Sequence, residues 1–437
     1  MNDYREFYNF PSDWSPISLL NSTYLKGRIG WQGLKASEFT TDGPYLVTGT
    51  NFVNGRIDWD HCYHITDERF REAPDIHLKE SDLLITKDGT IGKVALVKDC
   101  PDETTLNSGI FLLRCKDKSY SHSFLYYFLL SDYFKKYLRD TQGGSTIVHL
   151  YQREFERFTF KAPEIAEQER IAEILSTVDR AIEQTQGLID KYNRIKGGLM
   201  QDLLTRGIDE SGNIRSNETH KFSVKNGIKV PDEWDVVTIG CLSEQITSGS
   251  RGWATHYSVD GDKFIRIGNL SRKHLDFRLD NMVFVNPPDG AERVRTKLIE
   301  GDVLVSITAD LGMVGVIPKD FGDAYNNQHI ARIRIRENDA STRWIGYFLL
   351  SKNGQAQFQM LNESGAKAGL NLPTVASLLV AVPSTVERQR IVAILDSTLN
   401  TIECHRQSLV KLHATKNGLL QDLLSGRKRV KIDALEV

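Results

Sequence analysis

The chain is poor in cysteine, carries almost no net charge and has no long apolar run, and each shortage removes a class of protein. Its five cysteines, Cys62, Cys100, Cys115, Cys241 and Cys404, stand singly with no Cys-x-x-Cys pair in 437 residues. Neither a zinc module nor a disulfide framework is expected, and a reducing cytoplasm suits them. No stretch approaches the roughly 18 apolar residues of a membrane span. The opening Met1-Asn2-Asp3-Tyr4-Arg5-Glu6 lacks the basic and then apolar layout of a secretion signal. A cytoplasmic location with no membrane partner is therefore expected. Lys and Arg number 55 against 57 Asp and Glu, a net charge of -2. With no globally basic surface, any nucleic-acid binding must come from local patches or from other chains. The 40% hydrophobic residues and mean hydropathy of -0.35 fit folded, soluble domains, about three by length.

Catalytic constellations are also missing. Asn286-Pro287-Pro288-Asp289 resembles the Asn-Pro-Pro-aromatic loop of amino-methyltransferases, but Asp289 cannot stack on a flipped base. Gly89-Thr90-Ile91-Gly92-Lys93-Val94 lacks the four-residue spacing and the Ser/Thr of a phosphate loop, so it reads as a tight turn. His61-Cys62-Tyr63-His64 has no second ligand pair and no duplicate, so no metal site is expected. Without a Gly-x-Ser-x-Gly elbow or a nuclease triad, the reading is of a chain that is not an enzyme and has no catalytic residue.

What is present is a long internal repeat. Adding 220 to a residue number carries Pro11 and Trp14 to Pro231 and Trp234, and Asp82 and Gly92 to Asp302 and Gly312. The same shift carries Asn107 and Ile110 to Asn327 and Ile330. Tyr127 to Ser131 recurs intact at Tyr347 to Ser351, and Gln201-Asp202-Leu203-Leu204 recurs as Gln421-Asp422-Leu423-Leu424. So long a period means a duplicated domain, since solenoid repeats run about 20 to 50 residues.

Each copy begins with a Gly-rich stretch of short β-type runs, residues 1–162 and 222–382, read as an α/β (α+β) domain. A helix follows over 163–207 in the first copy, before a linker at 208–221. In the second it spans 383–425, before a basic tail at 426–437. Apolar residues follow a 4-3 heptad spacing: Ile171, Leu175, Val178, Ile182, Ile189, Leu199 and Leu203 in one helix, and Ile391, Leu395, Ile402, Leu409, Leu412, Leu419 and Leu423 in the other. The breaks coincide, Thr185 with His405 and Lys196 with Lys416. Two such seams bury each other, and an antiparallel coiled-coil pair would put the duplicated domains at opposite ends about a pseudo-two-fold axis. That geometry suits a reader holding two modules a fixed distance apart on a duplex.

The candidate readers lie in loops. Lys26, Arg28, Gln32 and Lys35 fall in a Gly-rich segment without acids, and Arg251 occupies the equivalent place in the second copy. Lys87, Thr90, Gln142 and Ser145 are further candidates in the first copy, with Arg266, Asn269, Lys273 and Lys367 in the second. Glycine lets backbone amides approach phosphates, while Arg, Lys and Gln can pair with base edges. The two loop sets differ although their framework positions agree, as two heads with different targets would.

These features together resemble the specificity subunits of Type I restriction-modification systems, over essentially the whole length. Three carry the resemblance: Pro-x-x-Trp at Pro11 to Trp14 and at Pro231 to Trp234; the acidic lead-in with a glycine turn at Asp82 to Gly92 and at Gly301-Asp302; and Pro163, Glu167, Gln168 and Ile171 opening the long helix. The second copy departs at the last, with Arg388 after Glu387, which puts an identical capping role for Gln in doubt. Met200 to Asp209 is also typical of the family's central region. The resemblance implies two target-recognition domains for a split double-stranded DNA sequence, with paired helices as ruler and docking site. It implies two modification (methyltransferase) subunits and two restriction (translocase/endonuclease) subunits as partners. It also implies no cofactor on this chain, with S-adenosylmethionine, ATP and Mg on those partners. An alternative of another class is a stand-alone two-headed DNA-binding or scaffold protein.

Overall fold

A computed structural model describes residues 10–28, 33–141, 149–336, 340–363 and 369–431, and the chain divides into two compact units. One comprises Met1–Gln186 with Gln407–Val437, and the other Gly187–Arg406. Each therefore holds one globular domain together with part of both long helices.

In the first unit, Ser15–Ser18 pairs antiparallel with Thr159–Ala162 and closes the domain just before the long helix. A four-stranded antiparallel sheet runs Thr23–Lys26, Ile110–Cys115, Leu83–Thr86 and Val94–Leu96. Leu83 to Thr86 is buried at every position, which explains why that strand reads as a continuous apolar run without alternation. A smaller sheet of Tyr63–His64, Thr40–Val47 and Thr104–Leu106 includes one parallel pair. His122–Leu130 and Asp132–Thr141 add helices whose Phe124, Phe128 and Phe134 join Phe155, Phe158 and Phe160 in an aromatic core.

The second unit repeats this order at the same 220-residue shift. Asp235–Thr238 pairs with Leu379–Val382, and the four-stranded sheet runs Ser243–Ser248, Ile330–Ile335, Val303–Ser306 and Val314–Val316. The acidic lead-in is structural in both. Asp82 accepts two hydrogen bonds from Arg114, at 2.6 and 2.5 Å, and Asp302 accepts two from Arg334, both at 2.8 Å. Each carboxylate also caps the tight turn before its strand, accepting from the Lys79 and Ile299 amides.

The long helices are Ile165–Leu203 and Thr385–Leu424. The first thus starts two residues after Pro163 and ends before Gly207, inside the span expected for it. In the first unit, Ile171 and Leu175 share a core with Leu423 and Leu424, and Asp179 pairs with Lys416 at 2.6 Å. In the second, Leu203 and Leu204 share a core with Ile391 and Leu395, and the Tyr192 and His405 rings stack at 5.7 Å. Within each unit the two helices therefore run antiparallel. All the seam residues named from the heptad spacing are buried or half-buried. The seam breaks hold partnered groups: Lys416 pairs with Asp179, His405 stacks on Tyr192, and Lys196 donates to the Lys273 carbonyl at 2.9 Å.

The repeated Pro-x-x-Trp and helix-opening Glu meet in one clasp per unit. Glu387, buried near the start of the second long helix, accepts from Arg215, from the Ile208 amide and from Trp234 Nε1. Gly207 has φ +64°, and a Cβ there would strike Glu387 and Trp234, so only glycine fits. In the first unit Glu167 accepts from Arg429 at 2.8 and 2.6 Å, and Gly426, at φ +71°, lies against Pro11 and Trp14. The segment after one helix thus locks onto the start of the other.

The doubtful Gln is settled by its surroundings. Gln168 is fully buried, donating to the Pro163 and Ser119 carbonyls and accepting from the Ser121 amide. Arg388 stands in its place in the second copy and donates to Thr385 Oγ1; a guanidinium has no acceptor to match the Gln168 oxygen that takes the Ser121 amide.

Candidate nucleic-acid interface

Antiparallel register brings the chain's loops to one sheet edge in each unit. Ile110 lies opposite Thr86, and Leu112 opposite Lys26. The segments after Lys26 and Thr86 and the one before Ile110 therefore emerge together. Backbone bonds lock the edge: the Lys87 amide donates to the Gly109 carbonyl at 2.8 Å, Leu150 to Lys87 at 2.9 Å, and Asn107 to Val47 at 2.9 Å. The second unit builds the same frame, with Ile307 donating to His329 at 3.0 Å, Leu370 to Ile307 at 2.7 Å, and Asn327 to Ile265 at 3.2 Å.

The glycine turn at this edge is a tight turn, as its spacing indicates. Thr86 Oγ1 donates to the Thr90 carbonyl and accepts from the Lys93 amide, and Ser306 does the same with Asp310 and Met313. Gly92 and Gly312 share φ +79°. The Asn286 to Asp289 segment connects strand Val283–Val285 to the helix Ala291–Thr296, with Asp289 paired to Arg293 at 2.6 Å.

The expected readers are distributed unevenly. Lys87 is half-buried with its ammonium 4.8 Å over the Phe111 ring, and Thr90 is exposed on the turn. Lys26 is half-buried and 3.9 Å from Asp75, while Lys35 is exposed, its amide donating to Glu38. In the second unit Arg251 is exposed beside Ser250, which bridges to Asn327 at the edge. Lys273 is exposed beside Arg272, which reaches the turn through the Leu311 carbonyl and Asp310, each at 2.5 Å. Arg266 is half-buried and donates to the Asn281 carbonyl. Gln32, Gln142, Ser145 and Lys367 lie outside the described residues.

Two of the expected readers are framework residues instead. Arg28 is only 2% exposed, with Nε donating to the Leu106 carbonyl at 2.8 Å and Nη2 to Thr105. Burial pulls its pKa below the ordinary guanidinium value. Its place is beneath the edge, satisfying the end of the parallel strand. Asn269 is 3% exposed; its Oδ1 accepts from the Arg266 amide and its Nδ2 donates to Arg278. Asn51 does the same in the first unit with Thr48 and His61, so this pair closes a short turn.

The sequence reading passed over two histidines at the edges. His149 bonds Asp88 through Nδ1 at 2.5 Å, and His329 Nδ1 lies 2.8 Å from Thr308 Oγ1, with Gln328 beside its other nitrogen. Comparing the two copies at the 220-residue shift would have exposed them, because His149 faces Gly369 and Gly109 faces His329. Among the described residues no group of three or more His, Cys, Asp or Glu is gathered as a metal ion would require. Nor is any described helix long and apolar enough to cross a membrane.

One sheet-edge frame built twice, carrying different side chains, defines a duplicated recognition protein. The family described as the Type I restriction modification DNA specificity domain matches residues 32–193 and 231–414, one match per copy. The chain belongs to this family and is a DNA specificity subunit of a Type I restriction-modification system. It is 23% identical to the Type I restriction enzyme MjaVIII specificity subunit of Methanocaldococcus jannaschii, over 96% of this chain and 94% of that one. It is 22% identical to the EcoBI specificity subunit of Escherichia coli, over 92% and 83% respectively. In fold it is similar to the crystal structure of the S subunit from M. genitalium, with a TM-score of 0.59 at 15% identity, covering 97% of this chain and 98% of that one.

Proposed function

We propose that the two sheet edges each face DNA and read one half of a split double-stranded target. The observation that carries this is the shared frame with unlike side chains, since a common scaffold with private edge chemistry is how one fold serves two half-sites. The long helices set the spacer and dock two modification subunits, which methylate, and two restriction subunits, which translocate and cleave. The chain itself performs no chemistry: S-adenosylmethionine, ATP and Mg belong to the partners. The near-neutral net charge fits this division, because partner subunits can supply much of the phosphate neutralisation.

The test is reconstitution. The purified chain alone should neither transfer a methyl group from labelled S-adenosylmethionine nor hydrolyse ATP. With its partner methyltransferase subunits it should methylate a split site. Turnover by the chain alone, lost on changing Asn286, would overturn the reading. A chain that binds DNA but recruits no methyltransferase would be a stand-alone scaffold.

A further inference from the structure

We propose that His149 reads a base edge in the first domain and that His329 positions Gln328 to read one in the second, each ring clipped through Nδ1 to the same turn position. This rests on the reading that the sheet edges face DNA. The turn position is the second residue beyond the inner strand, Asp88 after Leu83–Thr86 and Thr308 after Val303–Ser306. Asp88 holds His149, which arrives from the segment leading to the helix Gln152–Phe155. Thr308 holds His329, which arrives from a different segment, just before the strand Ile330–Ile335. Each domain carries glycine where the other carries histidine.

Space explains which side supplies the ring. Gly369 has φ +99°, and a Cβ there would lie 2.7 Å from the Ile307 carbonyl oxygen, so no histidine fits at 369. At Gly109 an added Cβ would meet only the Asp88 side chain, at 3.7 Å or more, so position 109 is free to carry one. The ring has thus been set on the same turn by two different routes, which a loop filler would not require. It stands on a rigid frame, as a group that must discriminate geometry needs.

The chemistry differs between the domains. In the neutral ring, with Nδ1–H donating to the Asp88 carboxylate, His149 Nε2 is an acceptor, which suits the amino group of adenine or cytosine in the major groove. His149 and Asp88 have side chains 44% and 39% exposed, so the pair is accessible. In the second domain His329 Nε2 lies 3.1 Å from the Gln328 amide. That fixes a glutamine able to offer both a donor and an acceptor to a base edge, as adenine recognition uses.

The experiment uses the full chain assembled with its methyltransferase subunits and a library of split targets randomised in both halves. His149→Ala should relax one base pair of one half about tenfold, within the range of a single lost base contact. His329→Ala should relax one base pair of the other half. The double variant Gly109→His with His149→Gly, which moves the ring to the second domain's route, should regain a definite preference at the relaxed position. Melting temperature and low-salt affinity for non-specific DNA should not change. Unchanged preferences in both histidine variants, while Lys87→Ala weakens binding, would sink the histidine assignment and leave the reading edge standing. If Lys87→Ala also changes nothing, the edge itself is wrong. A lowered melting temperature with both halves weakened equally would make the histidines structural clips and overturn the proposal.

Discussion

The Glu387 carboxylate shows why a short repeated motif can matter without touching DNA. It sits with Arg215 where both side chains are 9% exposed, and Trp234 and the Ile208 amide complete its bonds. Replacing Glu387 with Ala would leave the buried Arg215 guanidinium with only Glu233 at 4.0 Å and the Arg206 carbonyl, and the Trp234 and Ile208 donors without their acceptor, a loss of about 3–5 kcal/mol. Thermal or urea unfolding followed on the second unit should register it. Arg429→Ala should also destabilise the first unit, because Glu167, with its side chain 3% exposed, would lose its guanidinium partner, although Arg429 itself is 45% exposed and solvent screens the pair. At the thiols, burial beside Asp58 pushes Cys62 up to about 12, whereas Cys241 and Cys404 are exposed. A maleimide at neutral pH should therefore label Cys241 and Cys404 in the native chain and spare Cys62 until it unfolds. The repeated Glu, Trp and Pro were legible in the sequence, but their arginine partners were not. Arg215 and Arg429 do not stand 220 residues apart, so no single shift aligns them, and only the antiparallel meeting of helix ends brings them to Glu387 and Glu167.

Among the elements, the long helices were the most legible, because a heptad seam must be buried whatever the tertiary context. Ile391 lies wholly buried on that seam while Val410, on the same helix, is 69% exposed. Ile391→Ala should cost about 2–5 kcal/mol, and Val410→Ala should stay within about 0.5 kcal/mol. Urea titration of each variant checks the contrast, and equal losses would mean that the seam is misassigned. The loops proposed to read DNA stand out in the sequence as segments, but their residues cannot be sorted there one by one. Arginine and asparagine in a Gly-rich loop have the chemistry to bind phosphate and bases, yet the same donors satisfy buried carbonyls. Arg28 and Asn269 do the second, and only their burial distinguishes the two uses. The turn at Gly89 was legible from glycine spacing. Its duplicate was less so, because Ala309 adopts φ +56° there without glycine. Ala309→Gly should remove that strain and stabilise the second unit by a few tenths of a kcal/mol to about 1 kcal/mol.

For the whole molecule, duplication is the organising fact. Two copies of one domain, each completed by parts of both long helices, give a chain whose halves share a frame and differ at the edge. If the helices set the spacer, a seven-residue insert that keeps the heptad register in both helices should lengthen the gap between half-sites and leave the half-site sequences unchanged. Changed half-sites with an unchanged gap would point to a different ruler. The most direct test of the central claim is to sequence the methylated sites of cells carrying the intact chain with its partner subunits, and of cells in which Lys87, Asp88 and His149 of the first edge are replaced by Ala. The account predicts a split target of which one half loses its sequence preference, while the other half and the spacer remain as they were. Loss of preference in both halves at once, or in neither while methylation continues, would contradict it.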